Sequence, residues 1–80
     1  YQLGNQICIE NHVPFDILKP LLLETAEKLL TLSPKEAQTG PAKRNDVSTI
    51  EAHESFLSNE NQSTIYKILT QSIQNHGKKL

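Results

Sequence analysis

The sequence predicts an all-α domain, a bundle of about four helices. Three observations carry that expectation. Apolar residues recur at helical spacing in four separate stretches, and no stretch alternates for long like a half-buried strand. Pro14, Ser33-Pro34 and Gly40-Pro41 punctuate the chain between those stretches. The β-branched residues are scattered rather than gathered into short runs.

The elements follow in order. Residues 1–12 place Leu3, Ile7 and Ile9 on one side with Cys8 beside them; Gly4 weakens this helix in isolation, and it reads as the end of a longer one. His12 and Val13 precede Pro14, a natural stop. Residues 15–32 form the strongest pattern, with Leu18, Leu22, Ala26 and Leu29 in register and Leu21, Leu23 and Leu30 widening the stripe. Pro20 fits poorly inside a helix, so either a short turn covers 15–19 and the main helix starts at Pro20, or the helix kinks there. Ser33-Pro34 ends it. Residues 35–45 read as a connector with room for one helical turn over Lys35–Gln38, broken by Gly40-Pro41. In residues 46–57 Asp46 can cap, Ser48 and Glu51 match a capping box, and Val47, Ile50, His53 and Leu57 share a face. Residues 62–76 form the last helix, with Ile65, Leu69, Ile73, Ile68 and Tyr66 as its buried stripe, Gly77 as its stop, and Lys78 and Lys79 at its negative end.

Eighty residues suit one small domain, residues 1–80, whose core is aliphatic because the chain has two Phe, two Tyr and no Trp. A formal charge of −1 with mixed signs argues against nucleic-acid or anionic-membrane binding driven by net charge. A single cysteine allows no internal disulfide and suits a reducing, cytoplasmic compartment. No apolar run approaches the ~20 residues of a membrane span. The chain opens on Tyr1 and contains no methionine, and so reads as the C-terminal part of a longer protein.

The stretch TGPAKRND, residues 39–46, is unusually rich in groups that can hold an anion. The Thr39 hydroxyl can donate, Gly40 lets backbone approach a ligand, and Lys43 and Arg44 bring charge, Arg with a bidentate grip on carboxylate or phosphate. The segment leads into a helix N-terminus, which favours negative charge, although Asp46 as cap would occupy those N–H groups itself. The competing reading is purely structural: Gly-Pro turns, Asp46 caps, and Arg44 pairs with an acid such as Glu51. His53 likewise has two readings, a core or interface histidine with a satisfied ring nitrogen or a general acid/base or donor to substrate. Cys8, His12, His53 and His76 lack metal-ligand spacing, and Cys8 reads as a small buried hydrophobe. There is no G-x-S-x-G and no Gly-rich phosphate loop.

The run AQTGPAKRNDVSTIEAH (37–53), with LKPLLLETAEKLLTLSPKEAQ before it and IYKILTQSI after it, resembles a known family across nearly the whole chain. It is similar to the C-terminal helical domain of bacterial Rossmann-like oxidoreductases, a domain of unknown function. The family pattern T-G-P-A-x-R-x-D, then T-I and His, then Y-x-x-L, meets Thr39, Gly40, Pro41, Ala42, Arg44, Asp46, Thr49, Ile50, His53, Tyr66 and Leu69 here. Asn45 departs from it where Gly is commoner, and Glu54 where an apolar residue usually follows the His.

The resemblance implies a fold like the C-terminal domains of 6-phosphogluconate dehydrogenase, pyrroline-carboxylate reductase and deazaflavin-dependent NADP oxidoreductases. It implies an N-terminal Rossmann domain that binds NADP, outside these residues, and a helical domain that homodimerises and closes one side of a small-molecule substrate cleft. On that basis residues 39–53 are expected to face the nicotinamide end. Arg44 would hold a substrate carboxylate, Gly40 and Thr49 would line the substrate side, Thr39 and His53 would be polar contacts or proton donors, and Asp46 would cap the helix and orient Arg44. His53 is the candidate catalytic residue, and no metal is expected.

The alternative is a non-catalytic helical interaction module attached to an NADP-sensing Rossmann domain; hydride transfer separates the two. A free-standing helical interaction domain is a third reading. A helix-turn-helix DNA binder ranks last, because its recognition helix DVSTIEAHESFL carries Asp46, Glu51 and Glu54 and no Lys or Arg.

Overall fold

The computed structural model describes residues 1–78. The described residues are all-α, with six α-helices, one 3-10 turn and no strand. They fall into two compact units, Tyr1–Ala37 and Gln38–Leu80.

In the first unit, α1 (Gln2–Glu10) carries Cys8, which is buried. The helix ends in a Schellman arrangement: the Val13 N–H donates to the Cys8 carbonyl (2.8 Å) and the His12 N–H to that of Ile9 (3.2 Å). His12 takes the left-handed position at φ 56°, so the chain turns before Pro14 is reached. A 3-10 turn over Phe15–Leu18 follows, and α2 is Lys19–Lys28 with Pro20 in its first turn, where its missing N–H costs nothing. Of the two options for Pro20, the molecule takes the separate turn. Both α1 and α2 pack on that turn.

The expectation of one helix to residue 32 fails at the C-terminal end. Leu29, Leu30 and Thr31 bond three residues back, to Ala26, Glu27 and Lys28, which tightens and ends the helix. Ser33 and Glu36 then form a reciprocal capping box for α3 (Pro34–Ala37): the Glu36 N–H donates to Ser33 Oγ (3.2 Å) and the Ser33 N–H to Glu36 Oε1 (3.1 Å). No residue of α2 is buried; Leu21, Leu23, Leu29 and Leu30 stay more than half exposed.

In the second unit, α4 (Pro41–Arg44) packs against both α5 (Val47–Phe56) and α6 (Glu60–Lys78), with Ile50 as the buried hydrophobic residue among those described. Asn59 caps α6 through its side-chain oxygen, which accepts from the Gln62 N–H (3.0 Å). Two side-chain bonds set the direction of α6. His53 meets Tyr66, and Asn45 meets Gln74, so α6 runs back past α5 toward α4.

The expected stripe of α6 is covered only in part. Gln62 and Thr70 are buried, Ile65, Tyr66 and Ile73 are half-buried, and Ile68 and Leu69 lie largely exposed. The polar partners explain the difference: Tyr66 and Gln74 must face α5 and α4 to make their bonds, and that turns Ile68 and Leu69 outward. The helix continues through Gly77, which is therefore not its stop, and Lys79 lies outside the described residues. No helix among the described residues is long and apolar enough to cross a membrane.

Candidate functional site

The TGPAKRND stretch folds as two linked signals. Gly40 sits at φ 104°, ψ 172°, a backbone region that essentially only glycine enters. Nothing lies within 4 Å of where its Cβ would be, so the dihedral angles alone account for the glycine. Pro41 opens α4 instead of breaking the chain, because its fixed φ suits a first helical position. The one-turn helix closes in a second Schellman arrangement. The Asp46 N–H donates to the Pro41 carbonyl (2.8 Å) and the Asn45 N–H to that of Ala42 (3.2 Å), with Asn45 left-handed at φ 56°. That geometry is one Gly or Asn adopts readily, which accounts for Asn45 where the resembled pattern favours Gly.

Asp46 then starts α5. One carboxylate oxygen accepts from the Thr49 N–H (3.2 Å) and the Ser48 hydroxyl (3.2 Å), the other from the Thr49 hydroxyl (2.8 Å). Ser48 and Glu51 form no capping box here, because Asp46 is the N-cap and Ser48 already lies inside α5. The hydrogen bonds from Thr49, first its hydroxyl and then its N–H, hold the Asp46 carboxyl below the usual carboxylate range; Ser48 and Arg44 add to this. The chain's own carboxylate therefore takes the Thr49 N–H and puts negative charge at this helix N-terminus, where it opposes an external anion.

Arg44 is placed differently. Its Nη2 lies 3.6 Å from Asp46 Oδ2, too far for a hydrogen bond, and its side chain is 60% exposed. Asp46, not Glu51, is its acidic neighbour. Glu51 instead lines a groove of about 340 Å³ between α5 and α6, with Ile50, Glu54, Lys67, Thr70 and Gln74. Thr39, Gly40, Arg44, Thr49 and His53 do not line that groove. Asp46, Thr49 and His53 follow one another at i, i+3 and i+7, so they share one side of α5, with Arg44 at its head. Thr39 is exposed and has no side-chain bond to this set among the described residues.

His53 is exposed, which rules out a core histidine within the described residues. Its Nδ1 lies 2.8 Å from the Tyr66 hydroxyl, and the two rings meet edge to face at 5.7 Å. Sequence reasoning places Tyr66 among buried apolar residues and misses this partnership. The available signal is that a Tyr on a core face needs a partner for its hydroxyl. No group of three or more His, Cys, Asp or Glu able to hold a metal occurs among the described residues.

The fold has a close match among solved structures. A crystal structure of a "putative NADP oxidoreductase" from Bacteroides fragilis is 38% identical and superposes with a TM-score of 0.89, over 94% of this chain. The chain spans 30% of that protein's length. No curated protein matches the chain. The family model for a domain of unknown function, DUF2520, matches residues 1–73, and the chain belongs to that family.

Proposed function

We propose that this chain is the C-terminal helical domain of an NADP-dependent oxidoreductase, inactive alone, and that it supplies the substrate side of a cleft and a dimerisation surface. The observation that carries this reading is the match over 94% of the chain to a protein described as an NADP oxidoreductase, of which these residues make up only 30%. Residues that bind the dinucleotide would then belong to another domain of the same cytoplasmic protein. This fits the absence of any Gly-rich phosphate loop in the 80 residues.

Within that reading the cofactor's chemistry is hydride transfer, and this chain positions the substrate. Arg44, with an exposed guanidinium that is near a carboxylate but not bonded to it, holds a substrate carboxylate by two parallel N–H bonds. Asp46 limits where that guanidinium can go. Thr49 and Gly40 shape the wall, the first tied to Asp46 and the second fixed by its backbone. His53 and Thr39 offer exposed polar atoms toward the reacting group. The exposed leucines of the first unit and Ile68 and Leu69 of α6 supply apolar surface for a second copy of the protein.

The test is a fluorescence titration of NADPH against the intact protein, beside this chain alone. Binding by the intact protein only, with Arg44→Ala weakening substrate but not NADPH binding, is the expected outcome. No binding by either overturns the oxidoreductase reading. Binding of NADPH without hydride transfer to any carboxylate-bearing carbonyl or imine would favour the second reading, a non-catalytic interaction module, for which the exposed leucines are the motive.

A further inference from the structure

The pairing of His53 with Tyr66 has a consequence for which ring nitrogen can act. A neutral imidazole carries its proton on one nitrogen, and the hydrogen bond made by the other decides which. Tyr66 reaches Nδ1 at 2.8 Å, a short distance for a pair that includes a hydroxyl. A phenol is the better donor of the two groups and an imidazole lone pair the better acceptor, which favours the hydroxyl hydrogen lying toward Nδ1. The edge-to-face contact between the two rings favours one orientation of Tyr66 against His53. Tyr66 is half-buried and His53 exposed, so the pair has a covered end and an open end. Nε2 makes no protein hydrogen bond among the described residues.

We propose that Tyr66 is a positioning residue for His53: its hydroxyl donates to Nδ1, fixes the neutral ring as the Nε2–H form, and leaves Nε2–H as the donor offered to the substrate. The proposal deepens the reading of His53 as a substrate-facing donor and rests on it. A neutral Nε2–H suits a carbonyl or imine substrate, because it can hydrogen-bond the oxygen or nitrogen on which charge develops during reduction without competing with Arg44 for the carboxylate. Tyr66 acts through His53 and need not touch the substrate.

The experiment is side-chain nitrogen NMR on the intact protein with ¹⁵N-labelled histidine, recorded at pH about 8.5, where imidazoles in general are neutral. The His53 signals are assigned by their loss in His53→Gln. The expected result is Nδ1 at the unprotonated limit and Nε2 at the protonated limit. In Tyr66→Phe, which keeps the ring and its edge-to-face contact, both signals move toward the average of the two tautomers seen in free histidine. A purely structural Tyr66 would lower the melting temperature of Tyr66→Phe and leave the tautomer unchanged; that result overturns the proposal. So does a wild-type spectrum with the proton on Nδ1, which requires no variant to fold. The readout involves no cofactor or substrate, so it can fail while NADPH still binds, and the oxidoreductase reading can fail while the tautomer is as expected.

Discussion

The first unit, Tyr1–Ala37, leaves much of its leucine surface exposed, whereas the described residues of the second unit include polar side chains among the buried ones. The first unit buries Cys8 and half-buries Leu18 and Leu22, while Leu21, Leu23, Leu29 and Leu30 remain more than half exposed. The second buries Ile50 beside Gln62 and Thr70, and aligns its helices with side-chain hydrogen bonds 13 and 29 residues apart in sequence. Apolar surface on this scale suits a contact with something else, because burial is where its stabilisation comes from. Directional bonds suit placement, because they fix orientation while adding little net stability. The first unit thus shows more exposed leucine surface, while the second, which also exposes Ile68 and Leu69, holds His53 and Asn45 to α6 by side-chain bonds.

The strongest test of that contrast compares truncations. Ile50→Ala should cost about 3 kcal/mol, a large share of the roughly 4–12 kcal/mol available to a chain this size. Leu30→Ala, at a site 83% exposed, should stay within about 0.5 kcal/mol. Urea unfolding followed by circular dichroism measures both. The reverse ranking is expected for self-association of the intact protein: Leu23→Asp with Leu30→Asp should shift sedimentation toward monomer without loss of helicity. If that pair unfolds the protein and Ile50→Ala does not, the comparison is wrong.

The next effect concerns the backbone of the second unit. Gly40→Ala puts a Cβ into open space but at a φ of 104°, so the penalty is conformational, about 2 kcal/mol. Asn45→Ala should cost about 1 kcal/mol, because the left-handed turn disfavours a Cβ without a local hydrogen bond, and it also loses the bond from Gln74. Asn45→Gly should lie within about 0.5 kcal/mol of the parent, since glycine enters that turn freely. Thermal melts of the three variants rank them; an Asn45→Gly loss as large as that of Asn45→Ala would mean that the Gln74 bond matters more at this position than the left-handed backbone.

These two positions also show what is legible in the sequence. Pro14, Gly40, Asn45 and Asp46 act on the chain locally, and local chemistry places the long helices and the cap of α5. Pro41 is readable as a helix start, since proline favours that position, but a one-turn helix leaves no periodicity to detect. The Ser33–Glu36 box is visible as S-x-x-E and is masked by the longer leucine pattern that runs up to it. The α6 face is legible only in part, through Ile65, Tyr66 and Ile73; that Gln62 and Thr70 complete it depends on His53 and Asn45, distant in sequence. Spacing puts His53 on a face with Val47, Ile50 and Leu57, yet Val47 and His53 are exposed; the grouping of Arg44, Asp46, Thr49 and His53 comes from the family resemblance, and Tyr66 as the partner of His53 from neither.

The smallest effect is a pH dependence, and both units carry a version of it. Glu36 in the first unit is held below the usual carboxyl range by hydrogen bonds from Ser33, its N–H first, and Asp46 in the second by those from Thr49. A carboxyl that is harder to protonate when folded than when unfolded stabilises the fold fully above its unfolded value. That contribution is lost as pH falls through the lowered folded value. Asp46→Asn keeps an acceptor at the cap but removes the titration, so its stability should fall less steeply than the parent's below pH about 4, with only a slight loss at neutral pH. Glu36→Gln should do the same for Tyr1–Ala37. Residue-resolved hydrogen exchange across that range separates the two: Asp46→Asn should flatten the acid response of α5 amides and leave those of α3 unchanged, and Glu36→Gln the converse. If either substitution flattens both, the two units open together, and the contrast between them is one of exposed surface and not of stability.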